Sequence, residues 1–118
     1  MKTLVIGASP NPLRYSNKAV KHLIAYEKEV VAIGKRETTI GDVEVLTGTP
    51  PLKDIHTVTL YVGPANQEDY LDYIISLRPK RIIFNPGTYN RVLEEKAIQD
   101  GIECIEDCTL VMLNMETF

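Results

Sequence analysis

The sequence predicts an α/β fold: one domain built on a parallel sheet with helices on both faces. Three observations point there. Short apolar runs alternate with longer stretches whose apolar residues recur every three or four positions. The short runs are nearly continuous in their apolar character, as strands buried on both faces are. Most of them stop at a glycine or proline turn. At 118 residues the chain has room for one core and not for two.

The elements follow in order. Thr3 to Ile6 is a buried strand that ends in Gly7-Ala8-Ser9-Pro10-Asn11-Pro12. Ser16 to Glu27 is a helix, marked by Ala19, Val20, Leu23 and Ile24, with Ser16 or Asn17 as its cap. Glu29 to Ile33 is a second strand, stopped by Gly34. The stretch from Lys35 to Pro51 is less regular and holds a short strand candidate at Val43 to Leu46. Thr57 to Val62 is a third core strand, stopped by Gly63-Pro64. Gln67 to Leu77 is a helix with Tyr70, Leu71, Ile74 and Ile75 along its apolar side. Arg81 to Phe84 is a fourth strand, stopped by Asn85-Pro86-Gly87. Asn90 to Asp100 is a helix ended by Gly101. Ile102 to Ile105 is a fifth strand, and Leu110 to Leu113 begins a short helix.

Right-handed crossovers then give a Rossmann-like, doubly wound, five-stranded parallel sheet. The expected strand order is 3-2-1-4-5, with a crevice at the switch between strands one and four. Four strand ends with unusual residues fall on one edge of that sheet: Gly7-Ala8-Ser9, Gly34-Lys35-Arg36, Val62-Gly63-Pro64 and Asn85-Pro86-Gly87.

Composition removes other classes. A formal charge of −3 is too mild for a nucleic-acid or membrane partner. No apolar run approaches the roughly 20 residues needed to span a bilayer. The N-terminus lacks a signal-peptide pattern, and two cysteines fit a cytoplasmic chain with reduced thiols. Homodimer formation is left open by the sequence.

The first turn carries the chemistry. A strand, a small-residue turn and a helix N-terminus make a phosphate-holding device, because backbone N–H groups and the helix dipole favour an anion there. It is not the dinucleotide fingerprint: Ser9 and Pro12 stand where G-x-G-x-x-G needs glycine. Ser9 or Ser16 can add a hydroxyl donor, and Arg14 can reach a phosphate with its planar fork. After the second strand, an NAD site has an acidic residue for the ribose. Here Lys35 and Arg36 stand instead, followed by Glu37. A basic pair suits a ribose that carries a phosphate. Two cofactors fit: NADP with its 2′-phosphate and coenzyme A with its 3′-phosphate.

The chain resembles the small single-domain CoA-binding proteins, relatives of the CoA-binding domain of the succinyl-CoA synthetase α subunit. The resemblance runs through Gly7 to Ser16, Val30 to Lys35, Leu60 to Pro64, Ile82 to Asn90 and the tail from Gly101 to Cys108. It implies a Rossmann-like fold holding coenzyme A or an acyl-CoA. The Gly7 to Ser16 turn would hold the pyrophosphate and Lys35 or Arg36 the 3′-phosphate. Val62-Gly63-Pro64 and Asn85-Pro86-Gly87 would line the groove for the pantetheine arm. The synthetase's phosphorylated histidine lies in a further domain and is not carried over. Two departures stand out: Gly34-Lys35-Arg36 replaces an Asn-Pro-Lys-like turn, and Asn85-Pro86-Gly87-Thr88 replaces a turn richer in Gln and Gly.

The remaining reactive residues read as structural. His22 lies inside the first helix and His56 just before the third strand. Cys104 sits within the fifth strand. Cys108 follows that strand and is expected nearer the crevice, where it could approach the thiol of a bound coenzyme A. The C-x-x-x-C spacing without a nearby histidine argues against zinc. Tyr15, Tyr61 and Tyr89 are candidates for stacking on adenine. No Ser-His-Asp set, HExxH or P-loop lysine is present. The expectation is a non-catalytic or regulatory CoA-binding module. An NADP-dependent oxidoreductase, or its cofactor-binding subunit, is the alternative.

Overall fold

A computed structural model describes residues 1–118. Seven strands form one sheet: β1 (Lys2–Ala8), β2 (Glu29–Gly34), β3 (Thr38–Ile40), β4 (Val43–Leu46), β5 (Ile55–Leu60), β6 (Arg81–Phe84) and β7 (Glu103–Glu106). Four helices accompany them: α1 (Tyr15–Ala25), α2 (Leu71–Ser76), α3 (Arg91–Gln99) and α4 (Thr109–Asn114). The helices cover both faces. On one, Val20 and Leu23 of α1 and Leu113 of α4 pack with Val5, Ala32 and Val45. On the other, Ile74 of α2 and Leu93 and Ala97 of α3 pack with Leu4, Ile6, Leu60 and Phe84.

The sheet corrects two expectations. It has seven strands rather than five, and its order is β3-β4-β2-β1-β5-β6-β7. All pairs are parallel except β3 with β4. The expected order put the strand around Thr57–Val62 outside β2. That slot is taken by the short β4, which pairs through Ala32–Val45 and Ile33–Leu46. The reason is burial. From Thr57 to Leu60, β5 is buried at every residue, which suits the centre of the sheet and not its margin. In β4 only Val45 is fully buried, and a hairpin at Gly41, with φ +58°, lets β3 complete the edge. The switch point therefore lies between β1 and β5. Asn85-Pro86-Gly87 stands one strand further out than expected.

Two helices also differ from the sequence reading. Helix α1 starts at Tyr15, and its N-cap is Arg14, whose side chain makes no capping bond. Neither Ser16 nor Asn17 caps it, because both are inside the first turn and buried. The expected helix over Gln67–Leu77 is broken into 3-10 turns at Pro64–Asn66 and Glu68–Tyr70, followed by the short α2. The Gln67 side chain is drawn into the fold at that break and bonds backbone on two other segments. Helix α3 follows the sequence closely: Asn90 caps it, accepting from the N–H groups of Val92 and Leu93.

Candidate functional site

A cavity of about 860 Å³ opens at the carboxyl ends of β1, β2 and β5, at the switch point. Two glycines allow the strand ends to converge there. Gly7 has φ +96° and interrupts the β1–β2 register. A Cβ on it would lie 2.7 Å from Val62 Cγ2 and 2.8 Å from the Tyr61 carbonyl carbon. A Cβ on Gly34 would run into the Ala8 carbonyl oxygen and lie 2.9 Å from Val45 Cγ1. These are close-approach glycines, which no larger residue can replace without moving a strand.

The turn after β1 is held by its own polar groups. Ser9 Oγ accepts from Asn11 N (3.1 Å), and Asn11 Oδ1 accepts from Leu13 N (3.0 Å). The buried Asn17 donates through Nδ2 to the Ser9 carbonyl at 2.9 Å, tying the turn to α1. No side chain satisfies the first-turn N–H groups of α1, and Arg14, Tyr15 and Ser16 border the cavity. That leaves the positive end of an eleven-residue helix open to an anion.

Charge around the cavity is mostly positive. Arg14, Lys35 and Arg36 line it, all three exposed, against one carboxylate, Asp69. The far wall is Tyr61-Val62-Gly63 after β5 with Pro86 and Thr88 after β6, and Asn66, Asp69 and Tyr70 close it from the β5–α2 connection.

The structure brings together most of the residues singled out in the sequence: Gly7, Ala8, Ser9, Arg14, Ser16, Gly34, Lys35, Arg36, Val62, Gly63 and Pro86. Pro12, Pro64, Asn85 and Gly87 are not part of the cavity wall. Asn85 is turned inward and 2% exposed. Its Nδ2 donates to Thr59 Oγ1 (2.6 Å) and the Leu60 carbonyl (2.8 Å), and its Oδ1 accepts from Thr109 N (2.8 Å). It is a joint between β5, β6 and α4. Cys108 is the half-buried N-cap of α4 and lies outside the cavity wall. Cys104 is half-buried in β7, and burial pushes its thiol up to about 11. Of the three tyrosines named for stacking, Tyr15 and Tyr61 border the cavity and Tyr89 does not. Tyr89 donates instead to Glu94 at 2.7 Å. Sequence reasoning did not single out Pro10, Asn66, Asp69, Tyr70 or Thr88 as lining residues. Asn66, Asp69 and Tyr70 reach the wall from the 3-10 turns that replace the first part of the expected helix.

A family model described as a CoA binding domain matches residues 1–114. The chain belongs to that family. Among solved structures, an uncharacterized protein is 42% identical with a TM-score of 0.96, over 99% of this chain and 97% of its own. A hypothetical protein from Pyrococcus horikoshii OT3 is 26% identical with a TM-score of 0.85, over 98% of this chain and 82% of its own. The dinucleotide forming acetyl-coenzyme A synthetase 1 of Ca. Korarchaeum cryptofilum, solved in complex with phosphate and ADP, is 15% identical with a TM-score of 0.74. That likeness covers 90% of this chain and 25% of the synthetase, and it bears on the fold alone. No curated protein sequence matches the chain. No helix is long and apolar enough to cross a membrane.

Proposed function

We propose that residues 1–118 form one Rossmann-like domain that binds coenzyme A or an acyl-CoA in the switch-point cavity, as a non-catalytic or regulatory module. One observation carries the reading. In a chain of the CoA binding domain family, Arg14, Lys35, Arg36 and the uncapped first turn of α1 converge on a single cavity. Coenzyme A is a polyanion with phosphates at two separated places, and the cations here stand at two separated places. The turn of Gly7 to Ser16 takes the pyrophosphate, where N–H groups and Arg14 meet it. Lys35 and Arg36 take the 3′-phosphate. The pantetheine arm then runs towards Val62, Gly63 and Pro86. The volume is in the upper part of the range for ligand cavities, which suits a ligand of that length.

A binding role rather than a catalytic one is supported by what lines the cavity: three cations, small polar residues, tyrosines and a single carboxylate, Asp69, with no histidine or cysteine beside it. The histidines are engaged elsewhere. His22 Nδ1 is 2.9 Å from the Lys18 carbonyl within α1, and His56 Nδ1 is 2.8 Å from Thr57 Oγ1. Two free cysteines suit a reducing, cytoplasmic compartment.

Calorimetric titration with coenzyme A, dephospho-coenzyme A and NADPH in parallel tests the proposal. Coenzyme A is expected to bind best, with a penalty when the 3′-phosphate is removed. A preference for NADPH would move the reading to an NADP-dependent oxidoreductase or its cofactor subunit. Indifference to all three would overturn the proposal.

A further inference from the structure

Gln67 is fully buried, at 0% exposure, in the break between two 3-10 turns. Its Nε2 donates to the Val62 carbonyl at 2.7 Å and to the Thr88 carbonyl at 2.6 Å. Val62 follows β5 and Thr88 follows β6, and both line the cavity. One side-chain amide thus pins together the two loops that make the far wall. Its orientation is fixed by chemistry: turned over, Oε1 would face two carbonyl oxygens with no donor between them. The remaining Oε1 is buried without a partner. An orphaned buried acceptor is a local cost, and such costs are concentrated where function requires a particular geometry. The Thr88 loop is set further by Thr88 Oγ1, which donates to the Asn85 carbonyl at 2.7 Å. The far wall is therefore a rigid assembly hung on two buried amides. The opposite wall is a turn with exposed cationic side chains.

We infer that Gln67 is a positioning residue for the pantetheine half of the ligand and has no part in holding the adenosine half. This inference rests on the coenzyme A reading above. Gln67 touches no ligand; it holds the Val62 and Thr88 backbones at the spacing the arm requires.

The test compares coenzyme A with adenosine 3′,5′-bisphosphate, which keeps the adenosine, the 3′-phosphate and the first 5′-phosphate but lacks the second phosphate of the pyrophosphate and the arm. The variants are Gln67→Glu, which places a carboxylate against two carbonyls, and Gln67→Met, which keeps the volume and removes the donors. Affinity for coenzyme A is expected to fall about tenfold, the size of one or two lost hydrogen bonds. Affinity for the bisphosphate should stay within about twofold on the same scale. A merely destabilised fold would weaken both ligands together, so an equal loss, or no loss for coenzyme A, overturns the inference. Hydrogen exchange on the wild-type chain keeps the test open even if both variants fail to fold. Coenzyme A should protect residues 61–67 and 86–89 more than the bisphosphate does, and equal protection by the two overturns it. If wild-type protein binds neither ligand, the coenzyme A reading falls and takes this inference with it. If wild type binds both and only the variant or exchange pattern is wrong, the positioning role alone falls.

Discussion

On the α1 side of the cavity, Arg14, Lys35 and Arg36 are exposed and make no side-chain hydrogen bonds or ion pairs within the chain. On the β6 side, Asn85 and Gln67 are 2% and 0% exposed, and their amides bond four other segments. The contrast separates two kinds of residue. Side chains on the first wall can be changed without touching the fold, so their effect should appear in ligand affinity. Residues behind the second wall carry stability and cavity shape together, and neither can be altered alone. The glycines where the walls meet belong to both.

The largest effect is expected where the strand ends converge. In Gly34→Ala the new Cβ meets the Ala8 carbonyl, which is backbone and cannot swing aside. A loss of about 3 kcal/mol or more is expected, at the severe end of overpacking. Gly7→Ala adds a strained positive φ to its clash with the Tyr61 carbonyl. Urea denaturation measures both, and stability within about 1 kcal/mol of wild type would show that the strand ends can part freely.

Next is the Asn85 joint. Asn85→Ala removes three hydrogen bonds and strands the Leu60 carbonyl and the Thr109 N–H in the interior. The expected loss is about 2–4 kcal/mol. Asn85→Asp keeps the acceptor for Thr109 but sets an oxygen against the Leu60 carbonyl, so it should fall short of wild type as well. If Asn85→Ala proved neutral while weakening coenzyme A, the residue would belong to the binding wall instead.

Legibility in the sequence follows the same division. The first wall is local chemistry. A small-residue turn between an apolar run and an amphipathic helix, and a basic pair after the second strand, are visible in any window of a dozen residues. Asn85 finds its partners at separations of 24 to 26 residues, and Gln67 joins Val62, 5 residues away, to Thr88, 21 residues away; no local pattern records the long-range bonds. Asn85-Pro86-Gly87 therefore reads as a turn facing the ligand, although its asparagine faces the core. Strand order was hidden for a related reason. Periodicity identifies strands but not their slots, and a four-residue strand such as Val43–Leu46 is easily ranked below a longer one. The central strand Ile55–Leu60 carries His56, Thr57 and Thr59, so its apolar content does not mark it for the centre, and its burial from Thr57 to Leu60 appears only in the fold. The broken helix after Gly63 was masked by apolar spacing at Tyr70, Leu71 and Ile74. That spacing persists through the 3-10 turns into α2.

On the exposed wall, the double substitution Lys35→Ala with Arg36→Ala should leave stability within about 0.5 kcal/mol, since neither side chain is buried or bonded. Coenzyme A should weaken by about 1.5–3 kcal/mol relative to dephospho-coenzyme A, the size of one charge-assisted contact. Raising the salt concentration should narrow that gap, because both cations lie in solvent. Equal weakening of the two ligands would mean that this pair does not meet the 3′-phosphate.

The smallest effect is expected at Tyr61, where the walls meet the core. Tyr61 lines the cavity, but its hydroxyl is buried beside Thr109 without a hydrogen bond of good geometry, and burial holds the phenol well above its ordinary pKa. A neutral, unpartnered hydroxyl in the interior is a liability, so Tyr61→Phe should raise stability by about 0.5–1 kcal/mol. The aromatic ring is unchanged, and on the proposed reading coenzyme A affinity should not move. A stability loss of about 1 kcal/mol instead would show that the hydroxyl is satisfied in solution by ordered water or by a shift of the nearby Thr109. The buried polar strip from Thr59 to Thr109 would then continue to the cavity floor, and Tyr61 would belong with Asn85 and Gln67 behind the rigid wall.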